Sequence, residues 1–439
     1  MILQEDGHFS IDDIDKIKDI IISRNVTLNK YEKYLLGRNP TIVDKPETPS
    51  PDNRVPVPIG SRIVQIRKGY FAKPGNIRYT SPDSNYIERV KEIFDYNDEE
   101  LKSSELYEMA AGLGYCFELL SYNMSGDIKQ YVIDPRNGYM VRSEDLDMIP
   151  LGFAYYVYNI DTREETMTVY YKNDILTYKK DNSNQWVVAE QMLHPFGDVP
   201  AVEYVCNRYA LPIYFNVISL IDELDKTISN SYANELERFA QSYLLMLKRF
   251  NNATDPDTGL TYMELLKDRR LFDGLGEGES ITDVNQAIGF LTKPSRGQDA
   301  AEAADRYERL IYNMSMTADP NGENIGVSSG IALKLKLLPM EWATSGDEAY
   351  FSKGLQERLR LIGNVLFALE NASPEMVTIN FIRNIPVDVM ALAEEAGALQ
   401  GILSKETILE QFPASIVPNV ADELDRLEQT PSLQDNTVA

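Results

Sequence analysis

The residue types that most often carry catalysis or bind metals are scarce in this chain. Its 439 residues include two histidines, His8 and His194, and two cysteines, Cys116 and Cys206. No spacing among these four matches a zinc site, and no glycine-rich loop ends in the Gly-Lys-Ser or Gly-Lys-Thr that cradles nucleotide phosphates. We therefore predict no catalytic residue, no metal site and no cofactor, and the sequence argues against an enzyme or a nucleotide-driven motor.

Three local patterns offer some chemistry, and each also has a plain structural explanation. The segment 274–278 (GLGEG) is glycine-rich, but it is acidic and lacks the strand before and the helix after that a phosphate loop needs. Acidic clusters at 12–15 and 95–100 could hold a divalent cation, although solvated helix ends have the same composition. His194 precedes a proline and an apolar run, which favours entry into a strand over a role as general base.

The aromatic run 153–158 (FAYYVY) is compatible with two structures. It could form a stacking platform for bases. Alternating tyrosines on a half-buried sheet give the same pattern, and we favour that interpretation.

Composition limits the class of protein. Hydrophobic content of 43% and aromatic content of 10% indicate an ordered chain with one or more cores. The 68 acidic against 43 basic residues give a net charge of −25. A field of this sign repels nucleic acid unless basic residues are locally concentrated, so it argues against sequence-specific DNA binding. Two cysteines are too few for a disulfide framework, so we expect free thiols and a reducing site of synthesis. Neither a signal peptide nor a membrane-spanning run is visible.

In the N-terminal half, hydrophobic periodicity predicts a mixed domain. An amphipathic helix starts behind Ser10 and runs to Ile22, and a second helical piece stops near Gly37. Five prolines between residues 44 and 58 predict an exposed, extended arm. Residues 59–205 then read as one α+β domain, with helices at 86–94 and 101–114 and strands at 115–122, 130–133, 152–160, 167–171 and 186–188.

In the C-terminal half, helical spacing dominates. One long helix is predicted from Ile213 to about Phe239, followed by a strand-like piece at 243–247 and a polar insert. Helical spacing returns at 301–314, and residues 319–324 form a loop. Alternation at 331–337 suggests a strand, whereas the residues from Tyr350 onward are helical. A strand at 377–381 and a further helix starting near Pro386 complete the prediction.

Several of these segments together resemble tailed-phage portal proteins. The resemblance rests first on 324–336 (NIGVSSGIALKLK) and on 220–224 (LIDEL) with 234–245 (NELERFAQSYLL), in that family's order. The segments 34–40 (YLLGRNP), 194–200 (HPFGDVP) and 377–386 (VTINFIRNIP) agree with it. The chain is identified as similar to the portal family of long-tailed phages of Gram-positive bacteria, over about residues 11–427. None of these motifs is catalytic.

The resemblance implies a division of the chain into the parts of a portal subunit. The N-terminal part of the wing would be 1–212, with the proline-rich arm 44–58. Stem helix 1 would be 213–238, the clip 239–298 and stem helix 2 299–316. The tunnel loop would be 317–329, followed by a wing helix and strand at 330–385, the crown at 386–427 and a flexible tail at 428–439. In this fold, 330–337 belongs to one long helix bent near Pro339.

The resemblance also implies which residues face DNA. In the tunnel loop these would be Asp319, Asn321, Gly322, Glu323 and Asn324. Lys334 and Lys336 lie just beyond it. They could touch phosphates, although solvated lysines or ion pairs between subunits explain them equally well.

The implied function is a channel. Portal proteins form a ring, usually of twelve subunits, at one capsid vertex of the virion, and double-stranded DNA passes through it during packaging and ejection. The implied partners are the terminase motor, the capsid protein and scaffold, and a head-tail connector; assembly would take place in the host cytoplasm without a membrane. A head-tail adaptor or tail structural protein is the alternative, and it would form a ring without the long stem hairpin.

Overall fold

The computed structural model describes residues 7–46, 52–123, 125–229, 244–246, 259, 288–290, 297–319, 330–370, 377–383, 396–399, 402–409, 412, 417 and 420–429. These ranges combine helices with antiparallel sheets, so the predicted α+β class is confirmed. None of the helices in them is long and apolar enough to cross a membrane.

The elements, in chain order, are α1 Ile11–Leu35, α2 Pro40–Val43, α3 Ile59–Phe71, β1 Ile77–Thr80, α4 Ser84–Asn97, α5 Glu99–Leu113, β2 Tyr115–Tyr122, β3 Ile128–Ile133, β4 Gly138–Arg142, β5 Pro150–Tyr158, β6 Glu165–Tyr170, β7 Asp174–Lys180, β8 Trp186–Leu193, β9 Ala201–Val205, α6 Ile218–Lys226, β10 Leu244–Met246, β11 Ile288–Phe290, α7 Gly297–Met314, α8 Gly330–Glu370, β12 Thr378–Phe381, α9 Lys405–Leu409 and α10 Val420–Gln429.

α1 is one helix where the sequence predicted two pieces. Ser10 caps it by accepting a hydrogen bond from the Asp13 amide, and no proline or glycine occurs between residues 11 and 35 to interrupt it. Its buried side chains recur at helical spacing: Ile14, Ile17, Ile21, Leu28, Tyr31 and Tyr34. The helix ends before Gly37, whose φ of +64° is the left-handed conformation that favours glycine.

Two antiparallel sheets form the centre of the described chain. One has the order β3-β2-β9 and the other the order β4-β5-β6-β7-β8. α1 packs on one face of the five-stranded sheet, and Phe117 and Phe153 meet between the two sheets with ring centroids 5.1 Å apart. Helices α3, α4, α5 and α8 cover the β2–β9 side and form the largest core with it.

The aromatic run lies inside this sheet arrangement. Phe153 and the next residue, Ala154, are each 0% exposed, and they belong to the cores on opposite faces of β5. Tyr158, at the end of the strand, is half exposed. The half-buried sheet is therefore the correct interpretation, because Phe153 is buried and Tyr155 and Tyr156 are half-buried in the sheet.

α8 settles the ambiguity at 331–337 in favour of a helix. It runs through 41 residues from Gly330 to Glu370 with Pro339 inside it. The alternation of apolar residues at 331–337 did not indicate a strand, and further along the helix the buried side chains include Met340, Phe351 and Leu355. The long helix that the resemblance favoured is confirmed as an element; its bend at Pro339 stays a prediction.

Most other predicted elements occur, and some were missed. The structure contains α4, α5, β2 and β12 close to their predicted limits. Periodicity missed α3 and the strands β1, β4 and β7, which are short or alternate imperfectly. The extended residues 52–58 do not project freely: the Val57 amide donates to Asp225 Oδ1 (2.9 Å) and the Val55 amide to Ser229 Oγ (3.0 Å). They lie along α6 and the turn that follows it. Pro386 and residues 230–243 lie outside the described ranges.

Candidate channel-facing site

Two helices, α7 and α8, frame the predicted tunnel loop. The described chain continues past the end of α7 to Asp319 and resumes at Gly330, the first residue of α8. Of the five predicted DNA-facing residues, Asp319 is described and half-buried. Asn321, Gly322, Glu323 and Asn324 lie outside the described residues, so their orientation towards DNA stays a prediction.

The end of α7 is held by a tight, buried turn. Ser315 is 2% exposed and Thr317 5%, and the Thr317 amide donates to the Tyr312 carbonyl at 3.0 Å. Met316 has a φ of +50°, a left-handed conformation that is costly for a residue with a side chain. The side-chain amide of Asn216 also donates to the Met314 carbonyl (2.9 Å). The entry to the predicted loop is thus fixed by its surroundings.

A buried arginine ties this turn to α8. The Arg67 guanidinium, on α3, donates to Asp347 Oδ2 on α8 at 3.0 Å and also to the Ser315 carbonyl. Tyr107, on α5, donates its hydroxyl to the same Asp347 oxygen at 2.9 Å. Burial raises the pKa of Asp347, and the opposing Arg67 charge only partly offsets that effect. Three helices, α3, α5 and α8, therefore meet at this carboxylate, and Arg67 joins them to the turn after α7.

A second buried arginine holds the middle of α8. Arg358 is 0% exposed; its Nε donates to Glu118 Oε2 at 2.7 Å and its Nη1 to Glu99 Oε1 at 2.5 Å. Burial alone would lower the pKa of Arg358, but the neighbouring anionic groups, Glu118 first, hold it well above its usual value. Tyr79 and Tyr204 donate their hydroxyls to the same two carboxylates (2.6 Å each). The cluster joins α8 to α5 and β2.

A third arginine follows β12 and binds the first half of α8. Arg383 Nε donates to Glu341 Oε2 (2.9 Å) and its Nη2 to Glu348 Oε2 (2.6 Å). Tyr70 also donates to Glu341. Burial acts to raise the pKa of Glu341, but the Arg383 and Tyr70 hydrogen bonds outweigh it and the pKa is lowered. β12 is thereby fixed to α8.

The first turns of α8 present a different surface. Lys336 is exposed, as are Pro339 and two apolar neighbours, Leu335 (65%) and Trp342 (64%). Lys334 belongs to the helix, but its side chain lies outside the described part. Pro339 has no amide hydrogen, so the helix lacks one backbone hydrogen bond there. Phosphate contacts by the two lysines stay a prediction.

The arginine anchors were not found from the sequence, although a signal was present. Arg67 lies on a face with Ile63, Val64 and Phe71, and Arg358 lies on a face with Leu355 and Ile362. A charged residue on an apolar helix face must have a buried partner, because an unpaired buried charge is very costly. Which carboxylate it meets depends on the tertiary fold.

The two histidines form no catalytic arrangement with each other. His8 Nε2 lies 2.8 Å from Asp174 Oδ2, and His194 Nε2 lies 2.9 Å from the Tyr171 carbonyl. Burial lowers the pKa of His194, which favours its neutral form. Among the described residues, no group of three or more His, Cys, Asp or Glu side chains could hold a metal ion.

Comparison with solved structures finds similar chains in gene transfer agent (GTA) particles. The neck of an empty GTA particle, with C6 symmetry, matches at 11% identity and a TM-score of 0.40, covering 80% of this chain and 88% of that one. The virion of the native particle gives 11% and 0.38, with coverage of 80% and 88%. The neck of the native particle, with C12 symmetry, gives 12% and 0.36, with coverage of 81% and 90%.

A search of curated proteins finds no match. A family model does match, and it spans almost the whole sequence. The model is that of the phage portal proteins described as SPP1 Gp6-like, and it covers residues 13–431. The chain therefore belongs to the SPP1 Gp6-like family of phage portal proteins.

Proposed function

We propose that this protein forms a ring of twelve copies at one vertex of a phage capsid and that double-stranded DNA enters and leaves through it. The observation that carries the proposal is the family match along residues 13–431, which includes the N-terminal domain, both helices that frame the tunnel loop and the C-terminal region. The restriction to long-tailed phages of Gram-positive bacteria stays a prediction.

The exposure of α7 supports assembly into a ring. Over Gly297–Met314 the helix has three buried side chains in its described part, Ala300, Ile311 and Tyr312. A long helix that buries so few side chains within its own subunit gains stability by packing against a neighbouring subunit. Identical subunits that repeat the same contact form a closed ring when the rotations between neighbours add up to a full turn.

The charge of the chain suits a channel through which DNA slides. A net charge of −25 disfavours tight binding to phosphates, so DNA would meet few groups that hold it. Lys334 and Lys336, next to the tunnel loop, would make the transient contacts. Asp319 and the loop residues up to Asn324 would line the narrowest part.

The remaining assignments follow from the family. The clip, 239–298, would dock the terminase motor and later the head-tail connector, and the wing would meet capsid protein and scaffold. The protein would be assembled in the host cytoplasm, remain in the virion and have no enzymatic activity, because the terminase supplies the work of packaging.

Negative-stain electron microscopy with light scattering tests this function. We expect rings with a central hole and a mass near twelve chains, also when capsid protein and scaffold are co-expressed. A solid disc or a filament would support the head-tail adaptor or tail component instead. ATP hydrolysis by the pure protein would contradict a purely structural role.

A further inference from the structure

β1 is the edge of a two-stranded sheet. It pairs with β12 alone among the described residues, in antiparallel register. The Ile382 amide donates to the Asn76 carbonyl at 2.7 Å, and this bond fixes which positions of the ladder are hydrogen-bonded. Because these positions alternate, the amides and carbonyls of Ile77 and Tyr79 point away from β12. No other described residue hydrogen-bonds to these backbone groups.

A cleft runs beside this edge. Its volume is about 640 Å³, in the size range that holds small ligands and short peptides. Residues 77–80 of β1 form one wall, and Phe94, Asp95 and residues 98–101 form another, at the junction of α4 and α5. The cleft therefore offers a peptide both an unpaired strand edge and a facing surface.

The floor and the rim of the cleft differ in chemistry. Phe94 is buried against Tyr79, with ring centroids 4.8 Å apart, whereas Leu101 at the rim is 53% exposed. The rim has three exposed carboxylates, on Asp95, Asp98 and Glu100. The two lining cations, Lys91 and Arg78, do not balance them. A matching ligand has apolar residues facing one way and positive charges facing the other.

Unpaired strand edges are the places where extended peptides add to a sheet. We propose that the open edge of β1 binds an extended segment of a different protein, in which basic and apolar residues alternate. Backbone hydrogen bonds to Ile77 and Tyr79 align this added strand, and the carboxylates at the rim select its basic residues. The inference does not depend on ring formation.

A fluorescein-labelled peptide of four Lys-Val repeats is the probe, and fluorescence anisotropy is the readout on the full-length protein. We expect saturable binding that a Glu-Val peptide does not show. Every second amide of an added strand faces β1. N-methylation of one alternate set of peptide amides should therefore abolish binding, whereas methylation of the other set should change it less than about twofold. Equal effects of both sets would overturn the proposal.

Charge variants test the rim. Asp95→Asn with Glu100→Gln should weaken binding about fourfold, since each of the two exposed ion pairs is worth on the order of a twofold change in affinity. Asp161→Asn with Glu164→Gln, an equally exposed pair between β5 and β6, is the matched control and should leave binding unchanged. Equal effects of the two double variants would show that only net charge matters and would contradict a specific site.

Hydrogen exchange locates the peptide. The Ile77 and Tyr79 amides should exchange rapidly in the free protein and be protected at saturating peptide. Protection in the free protein would mean that the chain covers this edge itself. Protection that grows with protein concentration would assign the edge to a second copy. Either result, or peptide binding without protection at these amides, would refute the proposal.

Discussion

Replacement of Arg358 is expected to be among the most destabilising single changes in the described part of the chain. In Arg358→Ala, Glu118 and Glu99, which are 0% and 4% exposed, lose their buried counter-charge. Removal of one partner of a buried ion pair typically costs about 3–5 kcal/mol. We expect a loss of about 4 kcal/mol in the free energy of unfolding, because the tyrosine hydroxyls that remain on the two carboxylates do not neutralise their charge.

The matched control is Arg360→Ala, two residues further along the same helix. Arg360 pairs with Asp198 and Glu357, but its side chain is 41% exposed and solvent screens the pairs. Such pairs contribute about 0–1 kcal/mol, so we expect a loss below about 1 kcal/mol. Urea denaturation followed by circular dichroism, with thermal unfolding as a second measurement, compares the two variants.

The pH dependence of the Arg358→Ala variant distinguishes lost charge from lost packing. Without the guanidinium, the pKa values of the two buried carboxyls should rise above those of the unfolded chain. The variant should then approach wild-type stability as the pH falls from 8 to 5, since its carboxyls become protonated. A loss below about 1 kcal/mol, as in the control, would refute the assigned role of Arg358. So would a deficit that stays constant across this pH range.

Three further changes test other parts of the structure. A Cβ added at Gly354 would lie 2.5 Å from Tyr204 Cδ1, so Gly354→Ala should lower the stability by about 1–3 kcal/mol. The control is Gly346→Ala, on the exposed face of the same helix with no atom near the added Cβ, and it should raise the stability by about 0.5–1 kcal/mol. Equal shifts in melting temperature for the two variants would contradict the close packing of Gly354 against Tyr204. Burial raises the pKa of Asp225 to about 6, so its contribution to stability is present below about pH 4 and is lost as the pH rises through about 6. The melting temperature of Asp225→Asn should not show this fall with pH. A variant with the same pH profile as the wild type would refute the role of Asp225. In assembled heads, Lys334→Ala with Lys336→Ala should make DNA retention less dependent on salt, whereas Lys353→Ala, further along α8, should not, and equal behaviour of the two would argue against phosphate contacts near the tunnel loop.

Much of the fold follows from local patterns in the sequence. β2 was predicted to the residue, and α4 and α5 were predicted within one to three residues at each end, because aspartate or glycine marks the ends of both helices. α1 was divided wrongly because two polar residues, Arg24 and Asn25, interrupt the apolar pattern in its middle. Arg24 lies over the Tyr115 and Tyr139 rings, and Asn25 donates to the Arg136 carbonyl. β4 and β7 were missed because their alternation is short and their stability depends on neighbouring strands.

The candidate site was less predictable than the fold. The position of the predicted tunnel loop between two helices came from family resemblance. The residues that fix its ends could not come from the same source. Arg67 and Asp347 are 280 residues apart in sequence, and Arg358 and Glu118 are 240 apart. No local pattern encodes such pairs, since the tertiary fold alone brings them together. An arginine on an apolar helix face is recognisable as anomalous from the sequence, but its partner is not.

The three arginine anchors along α8 have a mechanical consequence. Glu341 binds Arg383 just after β12, Asp347 binds α3 and Arg358 binds β2. Three attachment points therefore share tension that is applied at the N-terminal end of α8. Sliding the helix by one turn, about 5.4 Å, would break all of them together. The turns of α8 before Pro339 precede all three attachment points, and the helix lacks one backbone hydrogen bond at the proline. Force from a moving polymer would therefore deflect the part of α8 before Pro339, while the part from Glu341 onward stays in register with the domain that holds it.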